Sequence, residues 1–155
     1  MKISVANLHP SYRVDAGLAG RIAWKVLRSV KKNTQGINID LVFLDDRSIQ
    51  NINKRFKNSD RPTDVLSFPL GSVRPGSGGM LGEIYISIDR AAEQSVIFNA
   101  ELHSEFVRYI IHGILHLFGY DDITARDRAR MSAKEDEILA WLSEKETLSK
   151  VLTRL

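Results

Sequence analysis

His112 and His116 stand four residues apart in the stretch His112-Gly113-Ile114-Leu115-His116-Leu117-Phe118-Gly119-Tyr120-Asp121-Asp122. On a helix, residues at i and i+4 share a face with Cβ atoms about 6 Å apart, so two imidazoles so placed can grip one metal ion. Gly119 stops the helix, and a turn there can bring a following carboxylate back toward the imidazoles. The competing reading is two core histidines whose ring nitrogens are satisfied by backbone carbonyls. A pair followed by a glycine stop and two acids favours the metal. The chain has no cysteine, so disulfides and thiolate sites are excluded and any ion must be held by nitrogen and oxygen.

The spacing His112-x3-His116-x2-Gly119-x2-Asp122 follows the metzincin protease pattern H-E-x-x-H-x-x-G-x-x-H with two changes. Aspartate replaces the third histidine, and Asp oxygen binds zinc at about 2.0–2.2 Å. Glycine replaces the glutamate that serves a metalloprotease as general base, which argues against peptide hydrolysis. Three ligands leave a position for water, whose pKa a metal lowers to about 7, so hydrolysis remains available. Asp121 competes with Asp122 as third ligand. The glycine-turn spacing favours Asp122, and Asp121 could instead orient a histidine.

The elements that must carry these residues follow from periodicity. Residues 2–7, 37–44, 63–69 and 81–87 read as strands, with Ile37, Ile39, Leu41 and Phe43 on one side of the second. A helix capped by Asp15 presents Leu18, Ile22, Trp24, Val26, Leu27 and Val30. A second is capped by Asp46, runs through about Phe56 and turns Ile49, Ile52 and Phe56 inward, and a third is capped by Asp89 and runs through about Phe98. The helix over 100–118 is apolar around most of its circumference and should be the buried central one. The last, over 124–146, turns Met131, Ile138, Leu139, Trp141 and Leu142 inward. Gly71 to Gly79 reads as a loop without the GKS or GKT ending of a phosphate-binding P-loop. Four strands and about five helices, with strands early and helices late, indicate an α+β fold: a small mixed sheet packed on helices. A chain of 155 residues suits one domain, residues 1–155.

Charge is unevenly spread. Residues 1–61 carry 12 Lys and Arg against 5 Asp and Glu, and residues 62–155 carry 10 against 14. One face for a polyanion and another for a cation would produce this, although solvated helix faces would too. The start of the chain lacks the apolar core of a signal peptide, and no apolar run is long enough to span a bilayer; a cytoplasmic protein is expected.

The histidine stretch resembles the signature H-G-x-L-H-L-x-G-Y-D-H of the YbeY family of metal-dependent endoribonucleases, departing only at Asp122. Asn53-x2-Phe56 followed by Asp60-Arg61-Pro62-Thr63-Asp64-Val65-Leu66-Ser67-Phe68-Pro69 resembles a second block of that family, and Leu81-Gly82-Glu83-Ile84-Tyr85-Ile86-Ser87 a third. The resemblance implies a single-strand-preferring endoribonuclease in maturation of small-subunit ribosomal RNA and ribosome quality control. It implies one divalent ion, zinc for preference, at His112, His116 and position 122. Its partners would be single-stranded ribosomal RNA and the small subunit or its assembly factors. Where the family has a functional arginine after the aromatic of its second block, this chain has Lys57, which keeps the charge, loses the bidentate fork and is the candidate catalytic cation, offsetting charge that develops at the scissile phosphate. Arg55 and Arg61 are the neighbouring candidates for RNA contact. With Lys54 they would line the approach to the ion. A ribosome-assembly factor with a structural metal, and a metzincin-like protease, are the rival readings. Thr63 and Asp64 read first as turn and strand-edge residues, Tyr120 as packing, and His9 and His103 carry no assigned function.

Overall fold

A computed structural model describes residues 1–70 and 80–155, with Met80 and Leu81 described in backbone only. In chain order the elements are β1 (Lys2–Asn7), β2 (Tyr12–Val14), α1 (Ala16–Val30), β3 (Asn38–Leu44), α2 (Asp46–Lys57) and β4 (Val65–Pro69). Then come β5 (Met80–Ser87), α3 (Ile88–Ile97), α4 (Leu102–Leu117), α5 (Ala125–Lys145), a 3-10 turn (Leu148–Lys150) and β6 (Leu152–Arg154). The loop expected from Gly71 to Gly79 lies outside the described residues.

The main sheet has the order β1-β3-β5-β4; β1, β3 and β5 run parallel and β4 runs antiparallel along β5. Alternation along the strands sorts its two faces. Ile39, Leu41, Phe43, Ile84 and Ile86 point one way and are fully buried against α1 and α4, in one core with Ile22, Val26, Phe106, Ile110 and Ile114. Leu44 and Leu66 lie in a smaller core with Ile49 of α2, flanked by Val42, Phe68 and Tyr85. Helix α5 closes over α4 with Met131, Ile138 and Leu142. The mixed four-stranded sheet on five helices is the architecture the periodicity predicts, and α4 is its buried central helix.

Sequence and structure part company in three places. β2 and β6 pair antiparallel, Val14 opposite Leu152, and three residues each is too short to show a period. Two caps shift. Asp45, not Asp46, caps α2 by accepting from the Ser48 amide at 2.8 Å, and Ser87, not Asp89, caps α3 by accepting from the Arg90 amide at 3.1 Å. The displaced acids are used elsewhere. Asp46 accepts from the Ser87 hydroxyl at 2.7 Å, while Asp89 meets His9 Nε2 at 2.7 Å and the Asp46 amide at 2.9 Å. His9, left without a role by the sequence, thus anchors the start of α3. Finally, Trp24, Trp141 and Phe56 are exposed rather than inward. Trp24 lies two residues from both Ile22 and Val26, a spacing that turns it to the opposite side of the helix. Trp141 is at the margin of the α5 stripe, and Phe56, in the last turn of α2, meets the edge of Phe68 at 5.7 Å and stays exposed.

Candidate metal centre

Helix α4 is seated on the sheet at Gly113. A Cβ there would stand 2.5 Å from Ile84 Cγ2 and 3.3 Å from Val65 Cγ1, so the helix comes closer than any side chain would permit. The Ser67 hydroxyl donates to the Gly113 carbonyl at 3.0 Å and fixes the same point. Glycine here is therefore a packing requirement as well as the absence of a base. His112 and His116 lie to the side of this contact line and stay partly exposed.

The helix ends in a Schellman turn. The Tyr120 amide donates to the Leu115 carbonyl at 3.1 Å and the Gly119 amide to the His116 carbonyl at 3.1 Å. Gly119 has φ 90°, in the left-handed region that glycine takes without strain. Leu115 and Tyr120 pack into the same core, the apolar contact that accompanies this motif.

The turn brings Asp122 back. Its Oδ2 lies 3.6 Å from Nε2 of His112 and 3.6 Å from Nε2 of His116, and the two Nε2 atoms are 2.9 Å apart. A point about 2 Å from all three atoms exists within that triangle, the distance at which zinc holds imidazole nitrogen and carboxylate oxygen. The donor set therefore fits a divalent ion. Asp121 is not in the cluster; its Oδ1 accepts from the Ile123 amide at 3.4 Å.

Glu135 of α5 completes the arrangement. Buried at 7% exposure, it accepts from Nδ1 of His112 at 3.0 Å. That bond places the proton on Nδ1 and leaves the Nε2 lone pair facing the triangle. The other Glu135 oxygen faces Arg108 Nη1 at 3.7 Å, and Arg108 also donates to Asp136 at 2.7 Å and faces Glu105 at 3.9 Å. Burial acts to lower the His112 pKa. The Glu135 hydrogen bond and charge, with Asp64 and Asp122 behind them, outweigh it and leave the pKa raised. Glu105 is raised by burial, against the pull of Arg108.

His112 lines two hollows. One, about 430 Å³, is walled by Thr63, Asp64, Arg90, Phe98, Arg108 and Tyr109. The other, about 490 Å³, includes Asp122, Phe98, Arg128 and Ser132. Thr63 and Asp64 fill their expected turn role, Asp64 accepting from the Val65 amide at 2.7 Å, and face the cleft as well. Lys57, Arg55 and Arg61 line neither hollow. The Lys57 ammonium lies 5.3 Å from the Phe68 ring and the Arg55 guanidinium 5.3 Å from the Phe56 ring, while the Arg61 carbonyl accepts from Asn53 at 2.9 Å. The cations that line the two hollows are instead Arg90, Arg108 and Arg128, none of them prominent in the sequence.

Glu135 was equally missed, and a signal existed for it. Met131, Glu135, Ile138 and Leu142 recur at inward spacing along α5, and a carboxylate in such a row must have a buried partner.

Residues 9–143 match the family described as "Endoribonuclease YbeY". A Pelotomaculum thermopropionicum protein of that name is 35% identical over 150 residues, covering 92% of this chain and 98% of that protein. One from Salinibacter ruber is 35% identical over 142 residues, covering 88% and 89%. One from Myxococcus xanthus is 39% identical over 118 residues, 75% of this chain, which spans only 40% of that longer protein. A solution structure from Thermotoga maritima superposes with a TM-score of 0.59 at 25% identity, covering 92% of this chain and 93% of that one. With a family match running from His9 to Ser143 and two of these relatives matched along nearly their whole length, this chain belongs to the YbeY endoribonuclease family.

Proposed function

We propose that this chain is a metal-dependent endoribonuclease that cleaves single-stranded RNA, acting in the maturation of small-subunit ribosomal RNA and in ribosome quality control. The observation that carries the reading is the His112–His116–Asp122 triangle, oriented by Glu135 and opening on a cleft with arginines on its walls. Zinc is the preferred ion, since two imidazoles and one carboxylate are donors zinc accepts with a position to spare. When bound, such an ion supplies Lewis acidity toward a phosphoryl oxygen and a nucleophile near neutral pH.

The chain's own residues do the rest. Glu135 holds His112 in the tautomer that offers Nε2 inward. Arg108, set among three carboxylates, holds Glu135 in place. Lys57, with Arg55 and Arg61, would draw the RNA backbone by contacts that are indifferent to sequence and weaken with salt. The small ribosomal subunit and its assembly factors are the partners this role entails, and the cytoplasm its place. Among the described residues no helix is long and apolar enough to cross a membrane.

Purified protein should contain one equivalent of metal by elemental analysis and cut single-stranded ribosomal RNA, with cutting lost in chelator and in His116→Ala. Particle binding with uncut RNA under fresh metal would favour the assembly-factor reading. Cleavage of casein would restore the protease. Stoichiometric metal in His116→Ala would remove the site itself.

A further inference from the structure

Two side chains that share the 490 Å³ hollow with His112 and Asp122 are unlike the rest of its wall. Phe98 ends α3 with 67% of its surface exposed. It is nevertheless held in place, since its amide donates to the Gln94 carbonyl at 2.9 Å and the Ala100 amide donates to the Ser95 carbonyl at 2.8 Å. It therefore presents a ring whose backbone is fixed at the mouth of a polar hollow.

Arg128, in the first turn of α5, donates through Nη1 to the Ile123 carbonyl at 2.8 Å and the Asp122 carbonyl at 3.3 Å. Its guanidinium is thus within one residue of a donor of the triangle. Among the described residues no carboxylate lies within ion-pair distance of it, whereas Arg90 faces Asp46 and Glu93, and Arg108 faces Glu105, Glu135 and Asp136. Arg128 therefore keeps its whole charge available to an incoming anion.

We propose that Phe98 and Arg128 form a nucleotide subsite beside the metal triangle, Arg128 holding a backbone phosphate and Phe98 stacking the base of single-stranded RNA. The inference rests on the nuclease reading and assigns the residues that position its substrate. Stacking on an exposed ring needs an unpaired base, so the subsite selects single strands by geometry and is tolerant of sequence. The hollow is within the roughly 300–1,000 Å³ usual for small-ligand clefts.

The test is anisotropy of a labelled single-stranded RNA oligonucleotide, with metal removed by chelator so that only protein contacts are read, over a range of salt. Phe98→Ala should bind about tenfold more weakly with an unchanged salt slope, and Phe98→Trp should restore binding. Arg128→Gln keeps a donor for the two carbonyls and removes the charge, so the log–log salt slope should fall by about 0.7, the share of one phosphate on a single strand. Thermal unfolding and zinc affinity of both variants should match the wild type. A normal affinity in Phe98→Ala, or an unchanged slope in Arg128→Gln, overturns the subsite even where the wild type binds and cuts RNA. If the wild type neither binds nor cuts single-stranded RNA, the nuclease reading falls and the subsite with it.

Discussion

Glu135 on α5 accepts a hydrogen bond from Nδ1 of His112 on α4 at 3.0 Å, across the contact between those two helices. A carboxylate behind a ligating imidazole fixes the ring and raises its basicity, and removing such a partner weakens metal binding by about 10–100-fold. Glu135→Ala should show a loss of that size by competition with a chromophoric chelator. Glu135→Gln keeps an acceptor for Nδ1–H and should lose less. Wild-type affinity in Glu135→Ala would show the contact to be incidental.

Asp122 contributes the only oxygen of the triangle. Asp122→Asn should lower zinc affinity by replacing an anion with a weak neutral donor. Asp122→His, all nitrogen, should move the preference toward zinc and away from manganese, because imidazole is the softer ligand. The zinc-to-manganese affinity ratio reads this directly, and a ratio equal to the wild type's would mean that Asp122 does not touch the ion.

Gly113 is filled on its sheet side by Ile84 and Val65. Overpacking costs about 1–3 kcal/mol, and the better helix propensity of alanine offsets up to about 1 of that. Gly113→Ala should therefore be less stable by up to about 2 kcal/mol in urea unfolding. Gly113→Glu, which would restore the protease base, should fail to fold. A stabilised Gly113→Ala would refute the close seating of α4.

Asp45 has its pKa lowered below the ordinary 3.8, first by its hydrogen bond with Ser48, with His9 adding a smaller attraction. A depressed carboxylate stabilises the fold above its unfolded pKa and stops doing so as pH falls through the folded value. Asp45→Ala should cost about 1 kcal/mol at pH 7. The gap to wild type should narrow in strong acid, below both pKa values, to what the neutral carboxyl oxygen still contributes as an acceptor. Asp45→Asn keeps the cap and should lose chiefly the pH dependence. Unfolding curves at pH 7 and in acid separate these outcomes: no loss in Asp45→Ala at pH 7 would contradict the cap assignment, and a gap that is constant with pH would contradict the part played by the charge.

What the sequence disclosed, and what it withheld, divides by the range of the interaction. His112, His116, Gly119 and Asp122 interact through one helix and one turn, so spacing alone brings them together, and the strand faces follow from a period of two. Glu135 meets His112 only because α5 packs on α4, a tertiary fact that no local spacing carries. The caps slipped because Asp45 and Asp46 are chemically alike, and only the backbone decides which stands outside the helix. Ser87 and the more acidic Asp89 are both capping residue types, but Asp89 is drawn off to His9. The arginines near the triangle were overlooked because they come from α3, α4 and α5, whereas the basic cluster in the sequence is local to α2 and its following loop.

The Schellman turn at Gly119 has a consequence for the denatured chain. All three donors fall within residues 112–122, so they need no sheet to meet, only two turns of helix and one reversal. Fluctuating helix of that length occurs in unfolded ensembles. Any affinity of an ion for that fluctuating form is subtracted from its effect on folding. Loading the protein should raise its melting temperature by less than the native affinity implies, with the contribution of Glu135, which requires α5 in place, reserved to the native state.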